Sequence, residues 1–274
     1  MNPHSFMQAG YLPYKSSQIH YLRMGTGPNT LFCLHGFGES AQHFYLFEAI
    51  LGQKFTLIAV DLPFHGATQW TGDLVFTPQD LMVVFQQLDP HPGQAWHFMG
   101  YSMGGRLLLH MTQLFPEKVA GMYLLAPDGL RLNPWYWLAT QTKAGNKLFR
   151  YTMYQPQWAL GLVKWAVRWN LLNRSIQKFI DYYLGDATIR EELYIRWTTL
   201  RSFRPHLSRL AKKLQQHQIP VRLVFGGYDR IILPKRGWAF QQKAPEQVQV
   251  YVLEEGHQLL KERHLSAFAE IILG

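Results

Sequence analysis

Apolar residues gather in short alternating or continuous runs at seven places along the chain: Gln18 to Met24, Thr30 to Leu34, Thr56 to Val60, Ala95 to Met99, Val119 to Ala126, Val221 to Phe225 and Val248 to Leu253. Runs of this length and composition predict β-strands. Between many of them the apolar spacing lengthens to the i, i+3, i+4 pattern of a helix buried on one face. Helices are predicted over Ala41 to Gly52, Pro78 to Leu88, Met103 to Phe115, Pro234 to Lys243 and His257 to Ile272, several opened by Ser, Thr, Asp or Pro and closed by Gly or Pro. Strands that alternate with helices imply right-handed crossovers. The predicted fold class is therefore α/β, with a mostly parallel sheet covered on both faces.

The alternation stops between Leu130 and Ile219, where Trp135, Trp137, Trp158, Trp165, Trp169 and Trp197 sit among helical patterns with no strand. This predicts an all-helical cap inserted at residues 131–213 of a core formed by 1–130 and 214–274. The tryptophans are expected mainly to build the cap's own core and its seat. Trp135 and Trp165 are the ones expected to face a ligand, because ligand pockets are mostly apolar. A chain of 274 residues fits one α/β domain carrying such an insertion.

Composition adds to this picture through charge. The formal net charge is +9, but it is uneven: between Arg131 and Lys213 there are 15 Lys and Arg against 4 Asp and Glu, and elsewhere 12 against 14. A basic block can serve nucleic acid, an anionic lipid surface or an anionic substrate. No nucleic-acid recognition motif accompanies this one, so nucleic acid is not an expected partner; contact of the cap with a membrane surface is a weaker alternative to a small-molecule substrate. The lone cysteine, Cys33, lies in an apolar run and is expected to pack rather than react. The first residues have no signal-peptide pattern and no segment reaches about 18 apolar residues, so a cytoplasmic protein is expected.

The chemistry centres on Gly100-Tyr101-Ser102-Met103-Gly104, which follows an apolar strand and opens a helical run. A serine forced into a sharp strand-to-helix turn needs small neighbours, and the turn presents its hydroxyl at the carboxyl edge of the sheet beside a helix N-terminus. The Met103 amide is one expected oxyanion donor, and the Phe37 amide, in the loop His35-Gly36-Phe37-Gly38 after an earlier strand, is the other. His35 itself is expected to brace that loop. A serine hydroxyl needs a base, and the base an orienting acid. His257 follows the last strand in a short loop and is the expected base; His264 falls within the final helix and is expected at the surface. Asp229 emerges at the end of the strand Val221 to Phe225 and is the expected acid, with Asp128 in Pro127-Asp128-Gly129 as its rival. No pair of histidines has metal-ligand spacing, so neither metal nor cofactor is expected.

Together, HGFG at His35 to Gly38, DLPFHGAT at Asp61 to Thr68, GYSMGG at Gly100 to Gly105, DRIILP from Asp229 to Pro234 and Gly256-His257 resemble the α/β-hydrolase superfamily along essentially the whole chain. The resemblance is to its capped serine hydrolases, which include carboxylesterases, carbon–carbon bond hydrolases, proline iminopeptidases and the menaquinone-pathway synthase. It implies the order Ser, acid, His, and so Ser102, Asp229 and His257. Phe64 stands where the family usually has Gly.

Three functions follow as expectations. The first is hydrolysis of an ester or related acyl bond of a small, largely apolar substrate through an acyl-enzyme, with Tyr101 beside the pocket. The second is a lyase or carbon–carbon hydrolase acting on a carboxylate-bearing metabolite with the same triad. The third is a non-catalytic receptor. Arg106 separates the first two. In the first helical turn a cation opposes the dipole by roughly 0.3–1 kcal/mol, so it pairs either with a nearby carboxylate or, as in the similar GYSxGGR elbow of the synthase, with a substrate carboxylate.

Overall fold

A computed structural model of the chain describes residues 7–131, 133–169 and 184–274. Its strands are β1 (Met7–Tyr14), β2 (Ser17–Met24), β3 (Asn29–Leu34), β4 (Phe55–Val60), β5 (Trp96–Tyr101), β6 (Val119–Leu125), β7 (Val221–Gly226) and β8 (Val248–Leu253). The helices among the described residues are α1 (Glu48–Leu51), α2 (Pro78–Leu88), α3 (Met103–Leu114), α4 (Pro134–Gln141), α5 (Lys143–Tyr154), α6 (Gln157–Arg168), α7 (Ala187–Thr199), α8 (Leu207–His217), α9 (Pro234–Gln241) and α10 (Leu265–Leu273). None is long and apolar enough to cross a membrane. The chain divides into two compact units, one of Met1–Gly72, Thr77–Arg131 and Phe203–Gly274, the other of Asp73–Phe76 and Leu132–Ser202.

The first unit is an eight-stranded sheet in the order β1-β2-β4-β3-β5-β6-β7-β8. The β1–β2 and β2–β4 pairs are antiparallel and the other pairs parallel. The central strands read as apolar runs because both their faces are covered: Leu31, Phe32, Cys33 and Leu34 of β3 and Leu57, Ile58 and Ala59 of β4 have no accessible surface. Burial also pushes the Cys33 thiol pKa well up. Phe32 stacks on Phe85 of α2 at 4.1 Å between ring centroids.

Register places the site. Gly100 of β5 pairs with Leu34 of β3 and Leu124 of β6, so the loops after β3 and β5 leave the sheet side by side. Gly226 of β7 pairs with Leu253 of β8, which brings together the loops that carry Asp229 and His257.

The seven predicted strands are present, and β1 is an eighth. Gly10 and Pro13 interrupt its pattern, and its residues are mostly exposed, which suits an edge strand. Tyr14 and Lys15, at its end, each reach Asp80 Oδ1 of α2 at 2.6 Å and tie the hairpin down. Residues 41–52 do not form the single α-helix expected: Ala41–Phe47 is a 3₁₀ segment and only Glu48–Leu51 is α-helical. Ala41, Phe44 and Phe47 are buried at intervals of three, the spacing of a 3₁₀ helix.

Two further expectations are corrected. The final helix begins at Leu265 rather than His257, since the side chain and carbonyl of His257 are held by Asp229 and by Tyr101 of β5. The insert ends earlier than residue 213: α8 buries Leu210, Ala211 and Leu214 within the first unit.

The second unit has helices but no strand among its described residues, and within Asp73–Phe76 the Phe76 amide bonds to the Thr199 carbonyl at 2.9 Å. Trp197 of α7 packs against Tyr136 of α4 at 5.1 Å and Phe149 of α5 at 5.6 Å. Trp137, Trp158 and Trp169 depart from the expected core role and are exposed, as are Trp135 and Trp165. Part of the basic excess lines a concavity of about 490 Å³ holding Lys143, Lys147, Arg150 and Arg201.

Candidate active site

Ser102 is the hinge between β5 and α3, at φ 48° and ψ −112°. A non-glycine residue in such a conformation costs on the order of 1–3 kcal/mol and persists only where its surroundings hold it. They do: its amide donates to Leu125 O at 2.9 Å, and its carbonyl accepts from the Asp128 amide at 2.9 Å and the Arg106 amide at 3.4 Å. The turn also needs Gly104, where an added Cβ would lie 2.0 Å from Leu34 O. Only glycine lets α3 begin against the end of β3.

Three side chains from three different loops then meet. His257 Nδ1 is 2.7 Å from Asp229 Oδ2, and its Nε2 is 3.3 Å from Ser102 Oγ. A carboxylate can only accept, so the proton sits on Nδ1 and the Nε2 lone pair faces the hydroxyl. Asp229 is buried, and its other oxygen accepts from the Ile231 and Ile232 amides at 2.7 and 2.9 Å, which fixes the carboxylate plane.

Asp128, the rival acid, has both carboxylate oxygens committed elsewhere. Its Oδ2 is 3.2 Å from Arg106 Nη1, and its Oδ1 accepts from the Gly129 amide at 2.7 Å. Arg106 is buried along the backbone of Gly129. The carboxylate partner expected for Arg106 under the ion-pair reading is present as Asp128.

The loop after β3 lies against the elbow through the Leu34 and His35 carbonyls near Gly104. His35 is fully buried; its Nδ1 donates to Gly36 O at 2.7 Å while its Nε2 accepts from the Leu62 amide at 3.1 Å. Both ring nitrogens are engaged in bracing. Phe37 follows in the turn, partly exposed, and Met103 is the buried first residue of α3. In the neighbouring loop, Asp61 gathers the Ala41 amide at 2.6 Å, the Ala67 amide at 2.9 Å and His20 Nδ1 at 2.7 Å. Phe64 keeps the left-handed backbone, φ 62°, that the usual glycine there adopts without strain.

Tyr101 is not a pocket wall. It is 1% exposed, and its hydroxyl donates to His257 O at 3.0 Å and lies 3.3 Å from Gln258 Oε1. Burial, followed by the charges of Glu39 and Asp229, pushes its pKa up and keeps it a donor. Trp135 and Trp165 stand exposed on α4 and α6 of the second unit. His264 ends a 3₁₀ turn and meets Glu255 at 3.1 Å, rather than lying free on a helix. Two residues of the site carry no sequence motif, Glu39 and Gln258. Glu39 accepts the Gly36 amide at 3.3 Å, and Gln258 lies close enough to lower its pKa. No group of three or more potential metal ligands is assembled among the described residues.

Comparison with known proteins supports the fold. A family model described as alpha/beta hydrolase fold matches residues 29–262. The chain is 28% identical over 254 residues to the uncharacterized hydrolase YugF of Bacillus subtilis (strain 168), covering 89% of this chain and 88% of that one. It is 27% identical over 259 residues to the dihydrolipoyllysine-residue acetyltransferase component of the acetoin cleaving system of Pseudomonas putida, covering 84% of this chain but only 64% of that longer protein. Among solved structures, a thioesterase domain from the curacin biosynthetic pathway superposes with a TM-score of 0.67 at 20% identity, over 98% of this chain and 100% of that one.

Proposed function

The chain belongs to the alpha/beta hydrolase fold family, and we propose that it is a serine hydrolase cleaving an ester or related acyl bond of a small, largely apolar substrate. The observation that carries this reading is the relay Ser102 Oγ, His257 and Asp229, with separations of 3.3 and 2.7 Å. Ser102 attacks the carbonyl carbon while His257 Nε2 takes its proton, and Asp229 stabilises the imidazolium. The carbonyl oxygen becomes an oxyanion facing the amides of Met103 and Phe37. Collapse expels the alcohol, protonated by His257. Water, deprotonated by the same nitrogen, then releases the acid and frees Ser102.

A carboxylate-bearing substrate would call on a free cation in the elbow. Arg106, the residue placed for that task, is already paired with Asp128, which supports the neutral-substrate reading. The test is a fluorophosphonate label combined with p-nitrophenyl esters of increasing acyl length and a panel of anionic metabolites. Wild type should label at Ser102 and turn over the esters; Ser102→Ala should do neither. Turnover of an anionic metabolite in preference to every ester would overturn the substrate class.

A further inference from the structure

We infer that Tyr101 and Glu39 are positioning residues that, with Gln258 between them, hold the His257 loop and the oxyanion loop against the nucleophile. The inference rests on the serine-hydrolase reading above and concerns side chains that do not touch the reacting atoms.

The loops that bear the nucleophile, the base and the oxyanion amide follow β5, β8 and β3, so no local structure joins them. Tyr101, one residue before Ser102, supplies the first link. Its single hydroxyl hydrogen is shared between the backbone oxygen of His257 at 3.0 Å and Gln258 Oε1 at 3.3 Å, and its ring lies 5.5 Å from the imidazole. The Gln258 side chain, which meets the Tyr101 hydroxyl, supplies the second link because it also lies close enough to Glu39 to lower the Glu39 pKa. Glu39 supplies the third: its Oε2 accepts the Gly36 amide at 3.3 Å, while its own amide donates to Gly36 O at 3.3 Å. The links meet at Gly36 itself, where an added Cβ would stand 2.9 Å from the Tyr101 ring and 3.0 Å from Glu39 Oε2. Each catalytic loop is thus fixed by a side chain from another.

Glu39 also brings charge. Burial raises its pKa from the ordinary value, and His43, the Gly36 amide, Gln258 and His257 pull it back down. Tyr101 faces it as a neutral phenol, and Asp229 lies on the other side of His257. As a carboxylate, Glu39 favours the imidazolium that forms when His257 takes the serine proton. Removing that charge withdraws this support for the protonated ring, so the acid limb of the pH–rate profile moves to lower pH.

The experiment uses the full chain with p-nitrophenyl acetate and a fluorophosphonate label, and compares wild type, Ser102→Ala, Tyr101→Phe, Glu39→Gln and Glu39→Asp across pH. Tyr101→Phe should lower kcat by about three- to tenfold, the loss of one hydrogen bond, with KM unchanged. Glu39→Gln should lower kcat and shift the acid limb down by roughly half a unit. Glu39→Asp should restore the limb because it restores the charge. The brace is wrong if Ser102→Ala abolishes labelling while Tyr101→Phe and Glu39→Gln stay within about twofold of wild type with an unmoved limb. It is equally wrong if Glu39→Gln lowers activity by the same factor at every pH. Should Tyr101→Phe fail to fold, the partly exposed Glu39 variants decide alone. Labelling of Ser102→Ala at the wild-type rate would instead reject the hydrolase reading on which the brace depends.

Discussion

Asp128 Oδ2 and Arg106 Nη1 lie 3.2 Å apart, and that pairing leaves Asp229 as the carboxylate on His257. Both acids emerge at carboxyl ends of neighbouring strands. Asp229→Asn should therefore lower kcat by about 10⁴, because the wrong tautomer then faces the serine. Asp128→Asn should leave kcat/KM within about threefold and instead lower stability by about 1–3 kcal/mol, since a buried guanidinium loses its counter-charge. Steady-state kinetics and urea unfolding on the two variants separate these effects; a larger kinetic loss in Asp128→Asn would move the acid to the other strand.

Arg106→Lys extends the same logic. An ammonium keeps the charge but not the guanidinium's fixed donor geometry. Stability should fall slightly, and kcat/KM for a neutral and an anionic ester should fall by the same factor. A selective loss on the anionic ester would restore Arg106 as a substrate anchor.

Gly104→Ala tests the elbow sterically. Its methyl group would occupy space 2.0 Å from a backbone oxygen of β3, which a rigid strand cannot yield. The start of α3 must shift, and with it the Met103 amide and Ser102. Hydrolysis should fall at least about a hundredfold, the effect of losing one oxyanion donor. Near-normal turnover with a lowered melting temperature would mean that the oxyanion is held elsewhere.

Asp80 makes the stability of the first unit sensitive to acid. Burial raises its pKa, but the bonds from Lys15, Tyr14 and Thr77 outweigh that and bring it down to about 2. An unfolded aspartate titrates near 3.9. The folded state therefore gains stability above about pH 4 and loses it as pH falls towards 2. Asp80→Asn should cost about 2 kcal/mol at pH 7 and flatten the dependence of urea midpoint on pH between about 4 and 2. An unchanged slope would mean that the clamp is already broken in solution.

The sheet is legible in the sequence because its central strands are buried on both faces, so Leu31 to Leu34 and Thr56 to Val60 announce themselves as apolar runs. The edge strand β1 is not, since half of it faces water and Gly10 and Pro13 blur its period. The meeting of Ser102, Asp229 and His257 is legible because each stands in the loop that follows a strand end. Tyr101 is opaque for a different reason: sequence gives its place along β5 but not that its hydroxyl ends beneath His257. Glu39 and Gln258 carry no motif, and only the meeting of three loops gives them partners. The exposed tryptophans fail as a core because aromatic content in a helical segment says how much apolar surface exists, and not which side of the helix it faces.

Cys33 lies sealed in the middle of β3, with no accessible surface and a thiol kept protonated by burial. Since it is the only cysteine in the chain, the folded protein presents no reactive thiol to its surroundings. A cysteine introduced on any exposed loop would then be the single point of attachment for a fluorophore, spin label or crosslinker, with the native residue left in place. Motions of the Asp229 or His257 loops could be followed with such a probe in an otherwise unaltered chain.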